Sequence, residues 1–460
     1  MQTINGFRLS PQQKYLWILQ QDSGAYCAQY AILIEGNLKT TALKEAVQQI
    51  INRHEIFRTS FHREPGIKVP IQVVSDRIDV TSWCSINLSA CNPQEQATKI
   101  EAILQEEKRS ISTSEPTGSL LRASLITLSD DQHILIVTLP SLCADSWTLK
   151  NLVKEISQGY VANLQGEEIA EEEVVQYVQF SEWQNQLLED EEDLTGKEYW
   201  KQQDFSKLAN LKLPLEKKLP NLPANFELQS IECQIEAELV AKITAIAQKY
   251  NVSISAVLLA CWKTLLWRLT REPDIIVSTA FNGRKYEELE PALGLFAKFL
   301  PLRSHLEDNS TFREIVQQVQ QSVSDADNWQ EYFCWEDIST ATLSDFPFGF
   351  EFEEQLNKYS AGDLSFSIYQ QYVCCDRFKV KLSCVHRDEA LSAKFNYDAG
   401  IIGIEAIQAL AEQFHALVES AANNPETAVC ELNILSDRSR HQLLVEFNNT
   451  QVDYLQSKCI

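Results

Sequence analysis

An α/β protein in two domains is what the sequence predicts. Its 460 residues exceed what one hydrophobic core usually serves. Short apolar runs that suit buried strands are interspersed with stretches of helical periodicity. One such run, "HILIVTL" (133–139), ends in a turn, "PSLCAD" (140–145), that opens directly into an amphipathic helix. Strand-to-helix turns of this kind often carry chemistry in open α/β sheets.

The elements follow in order. In "TTALKEAVQQIINRHEIFRTSF" (40–61), Leu43, Val47, Ile50 and Ile51 share one helical face, with Thr41 as the expected N-cap. "SLLRASLITLSDDQHILIVTLP" (119–140) reads as a hairpin about the polar "SDDQ", its second strand apolar enough to be central. After Asp145 or Ser146 as N-cap, Leu149, Leu152, Val153 and Ile156 line one helical face. Acidic runs at 166–175 and 188–193 and three prolines between 213 and 226 mark connecting structure. The second half opens near 228. "SISAVLLACWKTLLWRL" (253–269) is apolar almost all round and predicts a buried helix capped by Ser253. "DIIVSTAFNGR" (274–284) reads as a strand running into a turn, and "GLFAKFLPLRSHL" (294–306) as a further apolar segment. Ile404, Ile407, Leu410, Phe414, Leu417 and Val418 form the stripe of a long helix.

Composition narrows the function classes. With 44% hydrophobic and 23% charged residues and nine tryptophans, the chain has ample material for packed cores. A formal charge of −24 repels phosphate backbones and anionic lipid, which speaks against nucleic-acid and membrane-surface partners. The acidic runs read as solvated faces or linker. No stretch has the roughly 18 apolar residues of a membrane span. The N-terminus lacks the basic and apolar regions of a secretory signal. Twelve scattered cysteines, with no C-x-x-C, read as reduced and mostly buried thiols of a cytoplasmic protein.

The common catalytic signatures are missing. The seven histidines (54, 62, 133, 305, 386, 415 and 441) show no metal-ligand spacing and read as structural or surface residues. G-x-S-x-G, G-x-x-x-x-G-K-[ST] and G-x-G-x-x-G are absent from the sequence. What remains is "PSLCADSW" (140–147) with two arginine-bearing stretches, "RHEIFRTSF" (53–61) and "FNGR" (281–284). Asp145 is simplest as a helix cap, and a buried aspartate at such a turn welcomes an arginine partner.

Five ordered motifs carry a resemblance. "LSPQQKYLW" (9–17) resembles the S-x-A-Q-x-R-L-W motif of nonribosomal peptide synthetase condensation domains, and "RHEIFRTSF" nearly matches their R-H-E-x-L-R-T-x-F. "YVQFSEWQN" (177–185) with "KEYWKQQ" (197–203) is similar to their tryptophan-ending linker motif. "LGLFAKFLPLR" (293–303) is similar to G-x-F-V-N-T-x-x-x-R, with Ala297 and Lys298 in place of valine and asparagine. "LNILSDRSRHQLLVEFNNTQVDY" (432–454) resembles the connector to an adenylation domain. The stretch 345–354, "DFPFGFEFEE", lacks the family's arginine-bearing late motif.

The resemblance implies the chloramphenicol-acetyltransferase-like fold: two similar lobes in a V-shaped pseudo-dimer with a central tunnel. It implies an N-terminal lobe over 1–175, a C-terminal lobe over 176–435, and a linker over 436–460. Family members join an acyl donor to an amine acceptor, each delivered on the phosphopantetheine arm of a carrier protein; no cofactor bound to the domain itself is implied. Carrier domains, an adjacent adenylation domain and a tailoring enzyme are the implied partners. A start at Met1 suggests the first domain of a synthetase.

The family's central signature is two histidines, three variable residues, aspartate and glycine. Here that position reads Pro140-Ser141-Leu142-Cys143-Ala144-Asp145-Ser146. By the resemblance, Ser141 stands where the second histidine acts, and is expected near the middle of the inter-lobe cleft. Asp145 is then structural, with Arg284 as its candidate partner. A serine hydroxyl does not serve as a base near neutrality without an activator, and loss of placed acid–base help costs on the order of 10²–10⁴ in rate. The expected function is therefore a condensation-like domain impaired in conventional condensation, acting as gate, scaffold or recruitment domain for carrier-bound intermediates. The alternative is an active acyltransferase forming an amide or ester bond through positioning and a Ser141 hydrogen bond. A covalent role for Cys143 would need a base that the sequence does not offer.

Overall fold

The computed structural model describes residues 6–435, apart from 21–24, 64–65, 67–68, 77–82, 112–119, 168–172, 191–194, 207–210, 218–225, 336–346, 356–357 and 388, together with residues 440, 441 and 444. The rest of the expected linker over 436–460 lies outside the described residues.

The first half contains α1 (Pro11–Leu19), β1 (Cys27–Glu35), α2 (Thr40–Arg53), β2 (Thr59–His62), β3 (Ile71–Val74), β4 (Trp83–Asn87), α3 (Pro93–Ser110), β5 (Arg122–Thr127), β6 (Gln132–Pro140) and α4 (Ser146–Gln165). Helices α5 (Tyr177–Glu189) and α6 (Thr195–Gln202) lead onward. The second half contains β7 (Leu228–Ile235), α7 (Ala237–Tyr250), α8 (Ile254–Thr270), β8 (Asp274–Phe281), β9 (Lys298–His305), α9 (Phe312–Trp329) and β10 (Phe348–Glu354). It closes with β11 (Tyr359–Ala361), β12 (Leu364–Val373), β13 (Val380–Arg387), β14 (Ala390–Asp398) and α10 (Ile404–Asn423).

Two six-stranded mixed sheets define two lobes. The first has the order β11-β12-β1-β6-β5-β4 and the second β7-β14-β13-β10-β8-β9. Strand β6 sits centrally, paired antiparallel with β1 and β5, and all its residues from His133 to Leu139 are buried. The SDDQ turn joins β5 to β6, as the hairpin reading requires. Helix α2 differs from expectation at its start: Lys39 is the N-cap and makes no side-chain cap bond, so Thr41 lies inside the first turn. Its apolar face, Leu43, Val47, Ile50 and Ile51, packs with Leu149, Leu152 and Val153 of α4 in the first core. Helix α8 is buried continuously from Ala256 to Trp267, and its cap is Ser253. Lys263 lies inside that run and donates to the Leu302 carbonyl (2.9 Å) and to Ser304 Oγ (2.8 Å); burial alone lowers it to about 7. No single helix among the described residues is long and apolar enough to cross a membrane.

The chain does not divide cleanly at 175. Strands β11 and β12, from the second half, complete the first sheet, with β12 antiparallel to β1 from Ala28↔Val373 to Glu35↔Ser365. Leu289, Leu293, Leu295 and Phe296 also join the first core. The lobes are thus interlaced through 289–296 and 359–374, close to the turn that follows β6.

Candidate functional site

The turn after β6 is a single 3-10 turn, Ser141–Cys143, followed by α4. Asp145 is the N-cap of α4, and its Oδ1 accepts the Thr148 amide at 2.6 Å. Its Oδ2 accepts the amides of Phe296 (2.9 Å) and Ala297 (2.8 Å). Arg284 donates to both carboxylate oxygens, Nη1 to Oδ2 at 3.0 Å and Nη2 to Oδ1 at 3.2 Å. The pair has side-chain exposures of 3% and 1%. Its burial is tolerable because every polar group is answered. Arg284 also donates to the Ala292 and Asn282 carbonyls and to Thr148 Oγ1, and its guanidinium lies 4.4 Å from the centre of the Phe296 ring.

Two glycines allow this closeness. Gly283 has φ +67°, and a Cβ there would stand 1.9 Å from the Phe296 carbonyl oxygen. Gly294 has φ +152°, and its Cβ would strike the Tyr177 ring at 2.1 Å. Both positions therefore demand glycine.

The motifs that frame the turn touch it directly. Ser10 and Gln13 form a capping box at the start of α1, and Gln13 Nε2 donates to the Leu142 carbonyl at 3.0 Å. Tyr177, first residue of the linker motif, bonds Ser10 Oγ (2.7 Å) and the Leu295 carbonyl (2.7 Å). His54 of "RHEIFRTSF" meets Glu155 of α4 at 2.9 Å, so this motif braces the helix rather than the passage. At the altered fifth motif, Lys298 is buried and ion-paired with buried Glu331. Burial lowers the lysine, although Glu331 acts to raise it.

Ser141 does not stand open in the cleft. It is 0% exposed, and its hydroxyl donates to the Cys374 carbonyl at 2.6 Å. The next residue, Cys375, directs its thiol at the Ala144 carbonyl (3.6 Å). Residues 374–375, which leave the end of β12, are thus laid over the turn. Cys143 is fully buried, and burial pushes its thiol well above the ordinary value, so no thiolate is on hand. Cys27, Cys143, Cys374 and Cys375, the cysteines around the turn, are free thiols.

Between the lobes run three contiguous cavities. The widest, about 350 Å³, is lined by β12 from one sheet and by β10, β13, β14 and β7 from the other. It shares Leu228, Val373, Lys381 and Asn396 with a constriction of about 10 Å³. That constriction shares Cys375 and Asp376 with a third cavity of about 30 Å³, where Gln12, Tyr15, Ala297, Lys298 and Trp335 gather. The passage is therefore narrowest where residues 374–376 cross it. Ser141 lines none of the three cavities, and neither does any histidine.

The polar groups of the wide chamber come from strand alternation. On β10, Phe350 and Phe352 point into the second core, so Glu351 and Glu353 point the other way. Glu351 accepts Lys381 Nζ (2.8 Å), Ser383 Oγ (3.2 Å) and Ser146 Oγ (3.0 Å). Ser146, at the position of the signature glycine, thereby ties α4 to the second sheet. Burial and the neighbouring Glu351 charge push Glu353 up to about 7. Sequence reasoning passed over these carboxylates, although the alternation F-E-F-E in "FGFEFEE" (348–354) was there to be read. Asp376 had no such signal, since it lies in an irregular segment. It accepts the Tyr15 hydroxyl at 2.9 Å, and burial raises it to about 7.

Two interlaced α/β lobes around a central passage, with a capped strand-to-helix turn beside it, define the chloramphenicol-acetyltransferase-like class. The profile of the condensation-domain family matches residues 5–444, and the chain belongs to that family. It is 26% identical over 466 residues to bacitracin synthase 3 of Bacillus licheniformis, covering 99% of this chain and 7% of that protein. It thus spans less than a tenth of that relative's length. The condensation domain of the Monacolin K polyketide synthase MokA superposes with a TM-score of 0.79 at 19% identity, covering 92% of this chain and 98% of that one. The X-domain from teicoplanin biosynthesis, solved in complex with OxyB, gives 0.76 at 20% identity, covering 95% and 98%.

Proposed function

We propose that this domain receives carrier-tethered intermediates of a nonribosomal peptide synthetase without carrying out histidine-dependent condensation, and that it works as a gate. The observation that carries the reading is the Ser141–Cys374 contact. At the position where relatives act through an imidazole, a buried hydroxyl is committed to the backbone of the very segment that narrows the passage. An imidazole can accept and relay protons near neutrality; this hydroxyl cannot, and its residue lines none of the three cavities. Asp145 and Arg284 serve as the structural clamp of the turn. The partners in this reading are phosphopantetheine-bearing carriers and an adjacent adenylation domain, in a cytoplasmic assembly. The likeness to an X-domain solved with OxyB supports recruitment of a tailoring enzyme as part of the same role.

The active-acyltransferase alternative asks Ser141 to stabilise an oxyanion. For that, its hydroxyl must first leave the Cys374 carbonyl. The test loads one carrier with an acyl group and a second with an amino acid, then seeks the joined product by intact-protein mass spectrometry. The expected result is no product, together with retained binding of carriers. Product that disappears in Ser141→Ala, with the variant still folded, would overturn the gate reading.

A further inference from the structure

The first and fifth motifs depart from the family's pattern at five positions. In "SPQQKYLW" (10–17), Gln12 stands for alanine and Tyr15 for arginine. In "GLFAKFLPLR" (294–303), Ala297, Lys298 and Phe299 stand for valine, asparagine and threonine. All five line the third cavity. No position that keeps the pattern, from Ser10 and Gln13 to Gly294 and Arg303, lines it. Departures from distant parts of the chain therefore meet in one place, at one end of the passage.

Together they fill that end. Glutamine for alanine, lysine for asparagine and phenylalanine for threonine each enlarge the side chain, and only Ala297 is smaller than the residue it replaces. Tyr15 stacks on Trp335 with ring centres 5.1 Å apart, and Trp335 packs edge-on against Phe333 at 4.6 Å. The filling is tied down on both sides. The Tyr15 hydroxyl donates to Asp376 of the crossing segment, and Lys298 is ion-paired with Glu331 just after α9. What remains is about 30 Å³, room for about two water molecules. The chamber, at about 350 Å³, has the size of a ligand pocket, for which about 300–1,000 Å³ is usual. The chamber also reaches the surface, since Glu232 and Tyr369 in its lining are exposed. No residue lining the third cavity is exposed.

We propose that this end of the passage is plugged, so that the domain admits a pantetheine arm from the chamber side alone and serves one carrier at a time. The inference rests on the reading that the passage receives tethered intermediates, and it fixes how many. A passage with a single entry does not bring two tethered groups together, whatever residue stands at position 141.

The test places one reporter cysteine in the whole chain on each side of the crossing segment. Gln370→Cys lies in the chamber and Ala297→Cys in the third cavity. The probe is the bromoacetyl amide of aminopantetheine. Its rate at each site is read by peptide mass spectrometry and divided by the rate of plain bromoacetamide at the same cysteine. The chamber cysteine is expected to react at least about tenfold faster on this scale, because at the other site the arm must wait for local opening. Gln12→Ala and the pair Gln12→Ala with Phe299→Thr restore the pattern and shrink the plug. Both are expected to raise the rate at Ala297→Cys and to leave Gln370→Cys unchanged. Gln12→Ala removes an amide neither of whose atoms has a hydrogen-bond partner among the described residues, so it should fold even if the pair does not. Equal rates at the two cysteines overturn the inference and leave the gate standing. A folded Gln12→Ala variant with no gain at Ala297→Cys overturns the assignment of the plug to these residues. Reaction at neither cysteine sinks the wider reading that the passage receives the arm, and this inference with it.

Discussion

Arg284, from the loop after β8, grips both oxygens of Asp145 at the start of α4, at 3.0 and 3.2 Å. Each is buried, and each is satisfied largely by the other and by backbone of 282–297. Removing one partner strands the other's charge. Asp145→Ala and Arg284→Ala are each expected to cost about 3–5 kcal/mol in urea unfolding. Arg284→Lys should rescue little, because an ammonium lacks the planar fork that reaches both oxygens. A loss under about 1 kcal/mol in either alanine variant would contradict the clamp.

The Ser141–Cys374 contact makes a smaller and more local prediction. Ser141→Ala leaves the buried Cys374 carbonyl without this donor and is expected to cost about 1–3 kcal/mol. Amide hydrogen exchange at residues 374–376 should quicken, since these residues close the passage. Ser141→His must force a ring into a site with no room. We expect about 1–3 kcal/mol of destabilisation from overpacking. A histidine variant as stable as the parent would mean that the turn opens easily.

Lys298 and Glu331 are a buried pair on β9 and just after α9. Glu331→Ala leaves the lysine charge unanswered and is expected to cost about 3–5 kcal/mol, whereas Lys298→Met with Glu331→Leu should restore most of it. A double-mutant cycle measures the coupling; additive losses would show that the two residues act independently.

Asp376 sets a pH dependence. Burial raises its folded value to about 7, far above the roughly 3.9 of an unfolded aspartate. Between those values the folded state keeps a proton that the unfolded state has released. Stability from this group is therefore full at low pH and declines as pH rises from about 4 to about 7. Asp376→Asn keeps an acceptor for the Tyr15 hydroxyl. It should flatten the decline and leave the variant more stable above about pH 7, by a margin on the order of 2–4 kcal/mol. Urea midpoints at stepped pH are the measurement, taken as the difference between variant and parent because Glu353 titrates in the same window. Parallel curves would refute the assignment.

The legible parts of this molecule are those with local periodicity or a local cap. The apolar run 133–139, the Ser253 cap and the stripe of α10 from Ile407 to Val418 declare themselves through spacing, although Ile404, expected in that stripe, is exposed at the first turn. The clamp is legible only through the resemblance, which makes Asp145 structural and Arg284 its candidate partner; the residues alone left "RHEIFRTSF" and "FNGR" equally open. What stays hidden depends on residues distant in sequence. No local signal says that the carbonyl of Cys374 lies on a serine 233 positions earlier. Thr41 misleads as a cap because the helix begins two residues sooner than that cap implies, and Lys39 has no side-chain oxygen to announce the start. Lys263 is hidden in an apolar helix by the hydrogen bonds it finds on β9.

The loan of β11 and β12 to the first sheet has a consequence for biosynthesis. Strand β1 emerges early, but its outer neighbour spans residues 364–373. Until those residues leave the ribosome, one side of β1 presents unsatisfied amides and carbonyls to any passing strand. The first lobe must therefore wait for most of the second to be made, a late long-range closure that slows maturation and invites misassembly. For the same reason the two halves, expressed as separate chains cut near 175, should remain sticky apart and recover only when mixed.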